Sequence, residues 1–194
     1  RALLGADVRL YQIHSATLES GVLDDHAVLG ELVRLRESGL AIGLSVSGPR
    51  QAEVIRRALD ARVDGINPFQ TVQATWNLLE TSAGHALAEA SRAGWGVIVK
   101  EAVANGRLTD RQQDALPEVL QQFARTEQAS IDAIAIAAVL AQPWADVVLS
   151  GAVTRAQLLS NRAARALVGR VKEWPEVAES PATYWQHRGG LKWQ

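Results

Sequence analysis

The chain has 194 residues, 47% apolar and 21% charged, with a formal net charge of −1. This profile fits one globular domain or part of a larger one, and it lacks the basic footprint of a nucleic-acid binder. The absence of cysteine excludes disulfides and thiolate metal sites, and no apolar run reaches the roughly 18 residues of a membrane span, so a cytoplasmic location is expected.

In chain order, the first predicted strand covers about 7–14. Val8, Leu10, Gln12 and His14 alternate with Arg9, Tyr11 and Ile13. Val28, Leu29, Leu32, Val33 and Leu35 then predict a helix over about 25–38, stopped at Gly39. Ala41–Ser45 reads as a second strand, and Ser47-Gly48-Pro49 opens a second helix. Gly65-Ile66-Asn67 reads as a very short third strand closed by Pro68. A helix over about 82–93 ends at Gly94, and Gly96–Lys100 forms a fourth strand. Asn105-Gly106 signals a turn, and the polar stretch 107–129 is expected to be partly helical. Ser130 caps a buried helix, Ile131–Ala141. Asp146–Leu149 reads as a fifth strand buried on both faces, and Thr154-Arg155-Ala156-Gln157 as a capping box that opens a helix to about Leu167. The tail, 174–194, shows little periodicity.

Strand–helix alternation of this kind predicts parallel strands joined by helical crossovers. The predicted strands end in polar residues: Gln12 and His14, Ser45 and Ser47, Asn67 and Gln70, Lys100 and Glu101, and Ser150. In a parallel sheet such ends share one edge, where (β/α) barrels carry their chemistry. After the last strand, Ser150-Gly151-Ala152-Val153-Thr154 leads into a capped helix, whose open N–H groups suit an anion. No G-x-G-x-x-G follows a strand. The four histidines lack metal-ligand spacing, so no metal is expected.

These segments together resemble the aldo-keto reductase family. Tyr11-Gln12-Ile13-His14, Ile42-Gly43-Leu44-Ser45, Asn67-Pro68-Phe69-Gln70, Trp76-Asn77-Leu78-Leu79, Gly106-Arg107-Leu108 and Ser150-Gly151 through Gln157-Leu158 to Asn161 carry the resemblance. It implies an α/β fold, an eight-stranded (β/α)8 TIM barrel, of which residues 1–194 supply about the last five units and the tail. The start at Arg1 and the lack of any methionine add to the expectation that the first strands of this single domain lie upstream. The implied activity is interconversion of a carbonyl and an alcohol by hydride transfer with NADPH, NADH being the other option. His14 matches the family's histidine, which orients or polarises the carbonyl. Its aspartate, tyrosine and lysine would lie upstream.

By the same resemblance, Ser45 and Gln70 hold the nicotinamide carboxamide, and Gly106 lets a loop approach the pyrophosphate. Ser150, Gly151, Ala152, Thr154, Gln157 and Asn161 receive the adenosine end. Trp185 and Trp193 wall a substrate pocket. Val46 and Lys100 depart from the pattern: the family usually has an asparagine at the first, and many members stack a tyrosine on the nicotinamide from the second, where the lysine would instead bind the cofactor by covering the ring with its stem or meeting a phosphate with its charge. Gly151 and Gln157 replace basic residues that clamp a 2′-phosphate, a role left to Arg155 or Arg162. The expected partner is a small carbonyl or alcohol substrate, in a monomer or small homo-oligomer, with neither nucleic acid nor membrane. Two alternatives stand beside this reading: a barrel that binds the cofactor without turnover as a sensor or subunit, and a Schiff-base lyase using Lys100 as the amine.

Overall fold

Five strands lie side by side in chain order in the computed structural model, which describes residues 7–191. They are β1 (Leu10–Ala16), β2 (Ala41–Val46), β3 (Thr71–Thr75), β4 (Gly96–Lys100) and β5 (Val147–Val148), and the sheet is parallel. The helices are α1 (His26–Glu37), α2 (Gln51–Asp60), α3 (Gly84–Arg92), α4 (Glu118–Glu127), α5 (Ile131–Leu140), α6 (Arg155–Ala163) and α7 (Pro181–Gly190). This is the β/α succession of a (β/α)8 barrel, with about five of its units present. The described residues form two compact units. One runs to Ala74 and includes Ala83–Ile98; the other is Thr75–Ser82 with the residues from Val99 on.

In the first unit the sheet has two chemically different faces. Ile42, Leu44, Val46, Val72 and Ala74 are fully buried. The register sets Gln12, Gly43 and Thr71 level with one another, and Ser45 level with Gln73. Side chains alternate along a strand, so the first set makes an apolar face and the second a polar one. Asp25 caps α1 by accepting from the N–H groups of Ala27 and Val28 at 2.9 and 3.1 Å. Arg56 of α2 donates to both oxygens of Glu89 of α3 at 2.8 and 3.0 Å.

In the second unit α5 is buried from Ile131 to Val139. That explains its lack of a polar face: a helix apolar all round is a core helix. Its first N–H is taken by Asp110 at 3.0 Å. Ser130, the expected side-chain cap, instead meets the Ser160 hydroxyl at 3.2 Å.

Three sequence-based expectations need correction. The third strand is Thr71–Thr75, not Gly65–Asn67. Asp64 (φ 50°) and Gly65 (φ 80°) form a tight turn in which Val63 and Ile66 exchange both backbone hydrogen bonds at 2.9 Å. Two successive positive φ angles with Asp-Gly are the signature of a hairpin turn, so the Ile66 region is a reversal. The fifth strand is not buried on both faces: Val147 and Leu149 are 48% and 42% exposed. The tail is not irregular throughout, because Ser180 caps α7 by accepting from Thr183 N–H at 3.2 Å, with Pro181 in its first turn.

Candidate functional site

β1 does not run straight to its end. Ile13 is level with Leu44, yet the next pairing is Ala16 with Val46, so β1 carries one extra residue. Ser15 takes φ 53° to absorb it. Such a bulge breaks the ladder and re-aims a side chain. His14 lies in the bulge and is exposed, rather than closing the strand as the expected 7–14 range implied.

Ser45 is 95% removed from solvent, near the carboxyl end of β2. Its register neighbour is Gln73, not Gln70. Gln70 precedes β3, with its N–H on Ile42 O at 2.7 Å and its carbonyl taken by Gly96 N–H at 2.9 Å. Its side-chain oxygen receives Ile42 N–H at 3.4 Å. It therefore stands at the amino end of its strand, and the expectation of a third polar carboxyl end at Gln70 is corrected. Gln73 accepts from the Gln12 amide at 3.3 Å. The sequence held a signal for it: Thr71-Val72-Gln73-Ala74-Thr75 alternates with period two directly before Trp76. Gln12 Oε1 and the Thr71 hydroxyl are buried without a hydrogen-bond partner among the described residues.

In the second unit, Lys100 is the half-buried last residue of β4. Burial lowers its pKa below the ordinary lysine value; the Glu101 carboxylate opposes this and the Arg188 guanidinium adds to it. Glu101 begins a run of unusual backbone, with positive φ at Glu101 (57°), Ala104 (48°), Asn105 (54°) and Gly106 (91°).

The segment after β5 is a braced loop. Ser150 Oγ accepts from Ala152 N–H at 3.2 Å and from Asn161 Nδ2 at 3.0 Å, and Asn161 also donates to Ser150 O at 2.9 Å. The capping box is present as expected: Thr154 Oγ1 accepts from Gln157 N–H, and Gln157 Oε1 accepts from Val153 and Thr154 N–H. The side-chain oxygens of Ser150, Thr154 and Gln157 are thus engaged in shaping the loop. Gly151 (φ 63°) makes its turn. Arg155 and Arg162 are exposed, and Val153 is 87% exposed. The capping box leaves the Arg155 and Ala156 N–H groups out, and with the Arg155 guanidinium in the same turn they suit an anionic phosphate, with exposed Val153 as an apolar surface beside them.

Sequence reasoning missed a cluster around the tail helix. Tyr184 is buried, receives Asn77 Nδ2 at 3.0 Å, and donates to Glu101 Oε2 at 3.5 Å. Burial pushes its pKa well above the ordinary tyrosine value, so it is a poor proton donor. Trp185 is half-buried, stacks edge-on with Tyr184 at 5.6 Å, and has a buried indole N–H without a partner among the described residues. Trp193 lies outside the described residues. A hollow of about 490 Å³ among Leu140, Pro143, Val168, Lys172 and Trp174 contains none of the candidate residues.

The sequence matches the model of the Aldo/keto reductase family over residues 3–180. The chain belongs to this family. Among solved structures, an aldo-keto reductase from Bacillus halodurans in its holo form is similar with a TM-score of 0.58 at 17% identity, over 92% of this chain and 60% of that one. A thermostable aldo-keto reductase in complex with the inhibitor epalrestat is similar with a TM-score of 0.57 at 19% identity, over 91% of this chain and 58% of that one. At these identities the likeness shows the aldo-keto reductase barrel fold. The chain spans about 60% of the length of these relatives. No curated protein matches the sequence.

Proposed function

We propose that the chain is part of a nicotinamide-dependent oxidoreductase that interconverts an aldehyde or ketone with an alcohol, preferring NADPH. The observation that carries this reading is the family membership over residues 3–180, joined to a histidine set in a bulge at the carboxyl end of a barrel strand. His14 donates an imidazole N–H to the carbonyl oxygen and stabilises the negative charge that develops there, a contribution that is large when the donor is already in place.

The bound nicotinamide supplies or receives the hydride. Ser45 and Gln73 are suited to hold its carboxamide, Gln73 taking the place first given to Gln70. The Gln12 amide already occupies the Gln73 oxygen and orients the group. In the second unit, the amino terminus of α6 with Arg155 is suited to a phosphate, and Val153 to the adenine face. Ser150, Gly151, Thr154, Gln157 and Asn161 act there as a preformed frame. Lys100, at the end of β4, and Gly106, in the loop that follows, would meet the pyrophosphate side of the cofactor.

We further propose that the remaining strands of the barrel lie outside these 194 residues. β1 and β5 are the outermost strands of the described sheet, and they leave Tyr11 50%, Val147 48% and Leu149 42% exposed. Uncovered apolar edges of this kind call for neighbours. By the family resemblance, the catalytic acid would come from those strands. The test is fluorescence titration with NADPH followed by an aldehyde-reduction assay. Binding with reduction supports the reading, and absence of both from a protein that carries the whole barrel would falsify it.

One observation favours a second reading. The lowered pKa of half-buried Lys100 suits an amine that forms a Schiff base. Borohydride trapping of a carbonyl compound on Lys100 distinguishes the two: a stable adduct supports the lyase, and an unmodified Lys100 removes it.

A further inference from the structure

The loop after β4 holds an unfavourable backbone. Glu101, Ala104 and Asn105 are not glycine, yet all have positive φ, as does Gly106. Side chains crowd the backbone in that region, so such residues persist only where surrounding structure forces them. Hydrogen bonds inside the loop supply part of the restraint: Ala104 N–H reaches Glu101 O at 2.8 Å, and Gly106 and Leu108 N–H both reach Val103 O, at 2.9 and 3.1 Å. The rest comes from elsewhere in the chain.

Its sources are the segment after β3 and the tail. Asn77 Nδ2 donates to Glu101 O at 2.9 Å. Arg188 on α7 donates through Nε and Nη2 to Glu101 Oε1 at 3.2 and 2.9 Å, and the two side chains are only 25% and 11% exposed. Tyr184, one turn earlier on α7, links Asn77 to the second Glu101 oxygen. At the other end of the loop, Arg107 pairs with Glu179 through Nη1 and Nη2, and its guanidinium carbon lies 5.7 Å from the Tyr184 ring centre. Glu179 N–H is fixed on Leu79 O at 2.9 Å. Partly buried, multiply bonded pairs resist salt and solvent better than exposed ones. Both ends of the strained loop are therefore tied to one ten-residue helix and its entry.

We propose that α7 is a clasp that holds the Glu101–Leu108 loop in its left-handed conformation, with Arg188 and Tyr184 as its positioning residues. The clasp is a property of the chain without ligand. Its consequence for cofactor affinity rests on the function proposed above, in which this loop faces the pyrophosphate.

The experiment is hydrogen–deuterium exchange on the protein that carries the whole barrel, as wild type and as Arg188→Ala, Arg188→Lys and Tyr184→Phe, with amides of α5 as the internal standard for global unfolding. NADPH titration runs in parallel. Exchange at 101–108 should rise about tenfold or more in Arg188→Ala and Tyr184→Phe while α5 stays protected. Arg188→Lys should recover part of the protection, and NADPH affinity should fall in the same order. Arg170→Ala, which breaks an ion pair with Glu127 away from the loop in the same unit, should change neither. Unchanged exchange at 101–108 in both Arg188→Ala and Tyr184→Phe overturns the clasp. If α5 also opens in Arg188→Ala, Tyr184→Phe decides, because it keeps the ring and removes only the hydroxyl. Failure of the wild-type protein that carries the whole barrel to bind NADPH counts against the proposed function, and the exchange result still decides the clasp.

Discussion

A carbon atom added at Gly43 would lie 2.0 Å from the Thr71 hydroxyl and 3.0 Å from the Thr71 carbonyl. The neighbour at fault includes backbone of the adjoining strand, so it cannot swing aside. Gly43→Ala should therefore destabilise the chain by about 1–3 kcal/mol, the usual cost of overpacking. Chemical denaturation measures it, and an unchanged midpoint would show that β2 and β3 are not so close. At Lys100 the prediction concerns protons. Its pKa in the folded chain is below the unfolded value, so the unfolded state binds the proton more tightly. Stability should rise as pH climbs from the folded pKa of Lys100 toward the ordinary lysine value. An NMR titration of the Lys100 Cε signal checks the direction. A midpoint at or above that of a free lysine would contradict it.

Among the elements, α6 gives the clearest link from sequence to structure. The Thr154 and Gln157 side chains take each other's backbone N–H groups, so the helix start is encoded locally and was legible. Thr154→Ala should cost about 0.5–2 kcal/mol and loosen the turn at Gly151, readable as faster amide exchange at Val153 and Gln157. β4 was legible for a similar reason, since Gly96–Lys100 is a short apolar run between a helix stop and a polar loop. β3 was not. Its alternation rests on only two apolar residues, Val72 and Ala74, while apolar Ile66, which drew the strand assignment, sits in a reversal set by Asp64-Gly65. The register puts Gln73, not Gln70, level with Ser45. α7 was hidden because its partners are distant in sequence: Tyr184 meets Asn77, and Arg188 meets Glu101. Only Ser180-Pro181 announced it locally.

On the scale of the whole molecule, the family could be read because its motifs are spread along the chain in order, and each strand keeps its place in the sheet. The bulge at His14 could not be read: an extra residue in a strand shows only against its partner's register. A chain with two open apolar edges should lack groups needed for turnover. The isolated 194-residue chain, given NADPH and simple aldehydes, should show no reduction, and measurable reduction would mean that nothing essential lies outside it.

The most direct test of the central claim is single-turnover oxidation of bound NADPH by an aldehyde in the protein carrying the whole barrel, comparing wild type with His14→Ala. The rate should fall about 100-fold, the scale of one lost donor to a developing oxyanion, while NADPH affinity stays the same. Equal rates in the two proteins would contradict it.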